Sequence, residues 1–182
     1  MAVPGTGSSS EPGHVVLVGL MGSGKTTTGR ILARRLRRPL FDSDELVEAR
    51  TGRTVREIFE ADGEDAYRTL ETAALLDALA APEPAVIAAA GGVVIREENR
   101  RALRDAGALV VWLRADLGVL TERATRGTHR PLLDRDPAAM MASMARDRDA
   151  WYREVADAVV VTTDRPPEAV AAEIEAFVLE RS

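Results

Sequence analysis

Apolar residues recur along this chain in two alternating rhythms. Short unbroken runs at Val15–Val18, Leu40–Phe41, Ala85–Ala89, Leu109–Leu113 and Ala158–Thr162 are rich in valine, leucine and alanine. Such runs read as strands buried on both faces, as in a parallel sheet. Between them apolar positions fall one helical face apart, as at Ile31, Leu32 and Leu36, with charged residues interspersed. This spacing predicts helices over Lys25–Arg37, Asp44–Arg50, Val55–Glu60, Glu64–Ala80, Glu97–Asp105, Leu117–Thr125, Ala138–Arg153 and Glu168–Leu179. End signals agree: Thr54-Val55-Arg56-Glu57 is a capping box, and Asp136-Pro137 is a cap followed by a first-turn proline. The alternation predicts an α/β protein with a parallel sheet of about five strands covered by helices on both faces. Ligands of such sheets sit beyond the carboxyl ends of the strands.

Composition narrows the class. A chain of 182 residues, 46% hydrophobic and without an internal repeat, predicts a single domain over residues 14–182. Residues 1–13 are rich in Gly, Ser and Pro, with no basic cluster and no apolar stretch. They read as a disordered tail rather than a secretory signal. The longest apolar region, Ala85–Ile95, contains two glycines and is too short to span a bilayer, so a cytoplasmic protein without membrane contact is expected. A net charge of −5 argues against general nucleic-acid binding. With no cysteine, disulfides, thiolate metal sites and cysteine nucleophiles are excluded. Residues 127–136 show little periodicity and several charges, and predict a mobile surface loop.

Candidate chemistry begins at Lys25, the only lysine among 24 lysines and arginines. It lies in Gly19-Leu20-Met21-Gly22-Ser23-Gly24-Lys25-Thr26, which reads G-x-x-x-x-G-K-T, between a predicted strand and a predicted helix. The backbone amides of such a loop cradle phosphates, and a compact ammonium reaches where a planar guanidinium does not fit. Thr26 offers a hydroxyl for Mg²⁺, and Lys25 reaches the β- and γ-phosphates of a nucleoside triphosphate.

Other positions have two readings each. Asp42 and Asp44 lie two apart at the end of the second strand, so both carboxylates could face the cleft, but Asp42-Ser43-Asp44-Glu45 also reads as a helix N-cap. Arg68 is four residues after Glu64 and three before Glu71, the spacing of helix-surface ion pairs. Arg130 is either a closing-loop arginine or a solvated loop charge. Arg148 lies between Asp147 and Asp149, which suggests local pairing. Gly91 and Gly92 either admit a ligand close to the backbone or merely make a turn.

Taken in order, these segments resemble shikimate kinases, members of the nucleoside-monophosphate-kinase-like P-loop group. The resemblance covers about residues 14–180. Beyond the glycine loop it rests on Phe41-Asp42-Ser43-Asp44, Thr51-Gly52-Arg53-Thr54, Asp62-Gly63-Glu64, Tyr67-Arg68, Ala90-Gly91-Gly92, Thr128-His129-Arg130-Pro131-Leu132-Leu133 and Arg148-Asp149-Ala150-Trp151-Tyr152. It implies a three-layer α/β/α kinase fold with a substrate-binding helical insertion over about 44–71 and a mobile lid over about 125–137. It also implies ATP as co-substrate, Mg²⁺ as cofactor, shikimate as acceptor and a monomer. By the same resemblance Gly22, Ser23, Gly24, Lys25, Thr26 and Thr27 hold the phosphates, Thr26 and Asp42 serve the metal, and Arg123 and Arg165 flank adenine. Asp44, Arg68, Gly91, Gly92 and Arg148 hold the acceptor, with Phe59 and Tyr67 as aromatic walls. Lys25, Asp44 and Arg130 carry catalysis. The chain departs from the family in having Ala90 where a third glycine is usual, and in the residues between Arg148 and Tyr152. Rival readings are a gluconate-type or nucleotide kinase of the same fold, and a nucleotide-binding switch without catalysis.

Overall fold

A computed structural model describes residues 13–126 and 136–181. The expected tail up to residue 12 and most of the expected lid, including Arg130, lie outside the described residues.

Five strands form one sheet: β1 (Val15–Val18), β2 (Leu40–Asp42), β3 (Val86–Ala88), β4 (Leu109–Arg114) and β5 (Ala158–Val161). Their order is β2-β3-β1-β4-β5, and every neighbouring pair is parallel. The helices are α1 (Lys25–Leu36), α2 (Ser43–Thr51), α3 (Val55–Asp62), α4 (Glu64–Leu79), α5 (Glu97–Asp105), α6 (Leu117–Thr125), α7 (Pro137–Val155) and α8 (Pro167–Glu180).

Strand alternation sorts the core into two layers. Val16, Val18, Ile87, Val110 and Trp112 face Leu75, Leu103, Met141, Met144 and Tyr152 of α4, α5 and α7. Val15, Leu17, Val86, Val111 and Val160 face Leu32 of α1 and Val170, Ile174 and Val178 of α8. All four residues of β1 are fully buried, which is why this strand carries no polar side chain. A third cluster of Val47, Val55, Ile58, Tyr67 and Ala74 gives α2–α4 an apolar centre of their own.

Strand order positions the site. Leu17, Ala88 and Asp42 lie at one level across β1, β3 and β2. The loop after β1, the turn after β3 and the carboxylates after β2 therefore emerge side by side, although long stretches of sequence separate them. Among the described residues no helix is long and apolar enough to cross a membrane.

Candidate active site

The glycine loop owes its shape to positions that tolerate no side chain. Gly19, Gly22 and Gly24 adopt φ of 143°, 82° and 93°. A Cβ at Gly19 would lie 2.4 Å from the Leu113 carbonyl oxygen, and one at Gly22 would lie 2.6 Å from that of Leu120. Gly24 caps α1 without a side-chain bond, so the helix's first amides are left for an anion. Lys25 folds back over the loop, its Nζ donating to the carbonyls of Gly19 (2.7 Å) and Leu20 (3.0 Å). The Ser23 hydroxyl is buried in the loop with no hydrogen-bond partner among the described residues.

Asp42 uses its two oxygens differently. Oδ1 caps α2, accepting from the amides of Asp44 (3.1 Å) and Glu45 (3.4 Å). Oδ2 accepts from the Thr26 hydroxyl at 2.6 Å. Thr26 and Asp42, predicted together for a metal, are thus in direct contact. Among the described residues no cluster of three acidic or histidine side chains could hold a metal unaided. A hydroxyl and one carboxylate suit Mg²⁺, which keeps several waters and draws further oxygens from phosphate.

Asp44 follows in the first turn of α2 and keeps accessible surface. Its carboxyl nevertheless lies above the usual carboxylate range, because the atoms packed around it strip its water. Asp42 adds to the rise, while the Tyr67 hydroxyl (2.6 Å to Oδ1) and the charge of Lys25 oppose it.

The two arginines converge on the Gly91-Gly92 turn. Arg68 is 6% exposed and is held from α4 itself: Nη1 donates to both oxygens of Glu71 (2.9 and 3.1 Å), and Nη2 to Glu64 (2.9 Å). The predicted helix ion pairing is present, with its Glu71 arm buried and its Glu64 arm half exposed. Its guanidinium stacks over Tyr67, 5.3 Å from the ring centre. Burial disfavours the Arg68 charge, yet the two glutamates outweigh that and hold it more firmly protonated than usual. Glu71 is wholly buried, and burial pushes its carboxyl up despite Arg68. Arg148, 7% exposed, donates from Nη1 to the Gly91 carbonyl at 3.2 Å and not to its acidic neighbours. The Tyr152 hydroxyl donates to the same carbonyl at 2.5 Å.

Neither Gly91 nor Gly92 has a positive φ, so the glycines serve space rather than backbone freedom. A Cβ on Gly92 would sit 1.8 Å from Arg68 Nη1. One on Gly91 would press on the Met21 amide at 3.3 Å and the Gly19 carbonyl at 3.4 Å. The turn thus bridges the glycine loop and the arginine pair. Ala90, where resemblance led us to expect a third glycine, has no left-handed backbone, and its methyl is buried without demanding one.

Two further arginines, Arg123 and Arg165, are expected to flank adenine. Arg123 lies against Gly22 and donates to the Thr162 carbonyl at 3.4 Å. Arg165 binds the Val161 carbonyl (3.0 Å) and Glu173 (2.7 Å), at the end of β5 and on α8. Sequence reasoning gave Glu71 only a surface ion pair with Arg68, and gave the Tyr152 hydroxyl no role. Glu71 could have been found from its spacing to Arg68 had its helix face been known to be buried; nothing local marks Tyr152 as a partner of Gly91.

Comparison with known proteins concerns the chain as a whole. A family model described as shikimate kinase matches residues 21–179. A curated shikimate kinase from Pseudomonas syringae pv. syringae is 45% identical over 168 residues, covering 92% of this chain and 96% of that protein. One from Symbiobacterium thermophilum is 47% identical over 171 residues, covering 92% and 97%. The crystal structure of an Acinetobacter baumannii shikimate kinase in complex with shikimate superposes with a TM-score of 0.89 at 35% identity, covering 93% of this chain and 94% of that one. Glycine loop, paired carboxylates and converging arginines thus occur in a chain that matches such enzymes along nearly its whole length, and it belongs to the shikimate kinase family.

Proposed function

We propose that this enzyme transfers the γ-phosphoryl group of ATP to the 3-hydroxyl of shikimate, giving shikimate 3-phosphate and ADP. One observation carries the choice of acceptor: two buried guanidiniums, Arg68 and Arg148, meet at consecutive glycines beside the phosphate loop. Two arginines aimed at one place form a directional clamp for a carboxylate, which a neutral polyol could not exploit. Family membership and the shikimate-bound relative support the same reading.

In the proposed reaction the loop amides and Lys25 hold the β- and γ-phosphates. Thr26 and Asp42 would hold Mg²⁺, and the ion would neutralise phosphate charge. Asp44 orients the 3-hydroxyl and accepts its proton as the oxygen bonds to the γ-phosphorus and the bond to ADP breaks. Its raised pKa makes it a better proton acceptor than an ordinary carboxylate. Arg130, outside the described residues, takes the lid position that resemblance assigns it. Gly22, Ser23, Gly24, Thr26 and Thr27 line the phosphate side, and Arg123 the base side. Shikimate and ATP are the proposed partners of a cytoplasmic monomer.

The test is a coupled ADP assay on the purified protein with Mg-ATP and, in parallel, shikimate, quinate, gluconate or no acceptor. The proposal requires release that depends on shikimate and is at least tenfold weaker, about 1.4 kcal/mol, with gluconate. Equal release in every arm would leave a nucleotide switch, and a preference for gluconate, which also carries a carboxylate, would overturn shikimate as the acceptor.

A further inference from the structure

The ring of Tyr67 is explained by packing. It is 4% exposed, lies 4.7 Å from the Phe59 ring at 36°, and supports the Arg68 guanidinium at 5.3 Å. A phenylalanine would do all of this. The hydroxyl is not explained, because no part of that packing needs it, yet it points from the first turn of α4 to the first turn of α2 and donates to Asp44 Oδ1 at 2.6 Å.

What the hydroxyl prevents follows from the charges around Asp44. Lys25 attracts the carboxylate, while Asp42 and Glu48 repel it. On the Tyr67 side, Arg68 and Glu71 bear on the phenol itself. The terminal torsion of an aspartate is broad and roughly two-fold, so packing alone does not set its plane. Left to these charges, Asp44 would turn toward Lys25 and compete with the phosphate for the ammonium. A buried donor on a rigid ring removes that freedom. Burial and the Asp44 charge push the Tyr67 phenol far above its usual range, so it remains a donor whenever the enzyme is folded.

We infer that the Tyr67 hydroxyl is a positioning group for phosphoryl transfer: it holds Asp44 through Oδ1 so that Oδ2 is presented to the acceptor hydroxyl and the carboxylate stays off Lys25. The inference rests on the role of Asp44 proposed above. It assigns to Tyr67 more than the aromatic wall that its ring supplies.

The experiment is a double-mutant cycle of Y67F, D44N and the pair, with kcat and KM measured for both substrates. Y67F keeps the ring, so its melting temperature should stay near that of the parent. Losing a hydrogen bond to a charged group should lower kcat by about ten- to a hundredfold. KM for shikimate and for ATP should move by less than about threefold, because the clamp and the glycine loop are untouched. On the D44N background the same substitution should change kcat by less than about twofold, since the hydroxyl acts only through Asp44. The inference is overturned if Y67F turns over like the parent, if its loss lies in KM for shikimate with kcat preserved, or if the loss is as large without Asp44. A parent enzyme that releases no ADP in response to shikimate would sink the proposed reaction itself. An active parent with an unaffected Y67F sinks only the role of the hydroxyl.

Discussion

Replacing Gly92 by alanine adds one methyl group against the Arg68 guanidinium. The new Cβ would lie 1.8 Å from Arg68 Nη1, 2.3 Å from its Cζ and 2.7 Å from Nη2. Carbon atoms in contact prefer about 3.5 Å or more, so the guanidinium must retreat by about 1.5 Å. A loose arginine tip would do so cheaply, but this one is pinned by Glu64 and Glu71 and stacked on Tyr67. Bonds of 2.9 Å do not survive such a shift, and the wholly buried Glu71 loses its partner. Losing hydrogen bonds to charged groups costs about 1.5–3 kcal/mol and breaking a buried pair outright about 3–5, so partial relaxation predicts a loss of about 2–4 kcal/mol. For a chain of this size that is a fall in Tm of about 5–15 °C. Burial already raises the Glu71 carboxyl, and without Arg68 it rises further. A carboxyl whose pKa is higher folded than unfolded contributes stability that is complete in acid and is lost as pH rises through the folded pKa. The deficit of G92A relative to the parent should therefore be largest at neutral pH and shrink as pH falls. Thermal melts across the acid-to-neutral range, with KM for each substrate, make the assay. KM for shikimate should rise at least about tenfold and KM for ATP change less than about twofold, since the glycine loop is not disturbed. Parent-like melting together with parent-like KM for shikimate would refute the idea that this glycine exists to admit Arg68.

Three further substitutions probe separate parts of the site. Lys25→Ala should lose at least about 10²-fold in turnover, the scale of one deleted transition-state contact, and unchanged turnover would exclude the phosphate role. Asp42→Asn keeps a good helix cap but weakens the metal side, so the Mg²⁺ concentration for half-maximal rate should rise about tenfold with little change in melting; an unaltered Mg²⁺ requirement would remove Asp42 from the metal site. Glu71→Gln discards a carboxylate whose pKa burial has raised. It should melt no lower than the parent at neutral pH, with the difference vanishing in acid, and a marked fall at neutral pH would show the charged pair to be net stabilising.

Much of the fold was legible along the chain. Fully buried parallel strands must be continuously apolar, so β1 and β4 stand out as such, and capping residues mark where α3 and α7 begin. The glycine loop was equally plain, because its left-handed backbone and close carbonyls leave the chain no residue but glycine at Gly19 and Gly22. These are local demands, met by neighbours in sequence, and they leave their imprint on residue type. The competing readings of Asp42, Arg68 and Arg148 could not be decided in the same way. That the Asp42 carboxylate does more than cap α2 is not visible until Thr26 is seen 2.6 Å away, and an ion pair at helix spacing looks alike whether it faces water or the core. Those outcomes depend on strand order, which sets β3 between β1 and β2 and so draws a turn, a helix and a loop from distant parts of the chain to one cleft. Burial and neighbours across the fold decide which charges are structural and which face a ligand, and neither is a property of any short stretch of sequence.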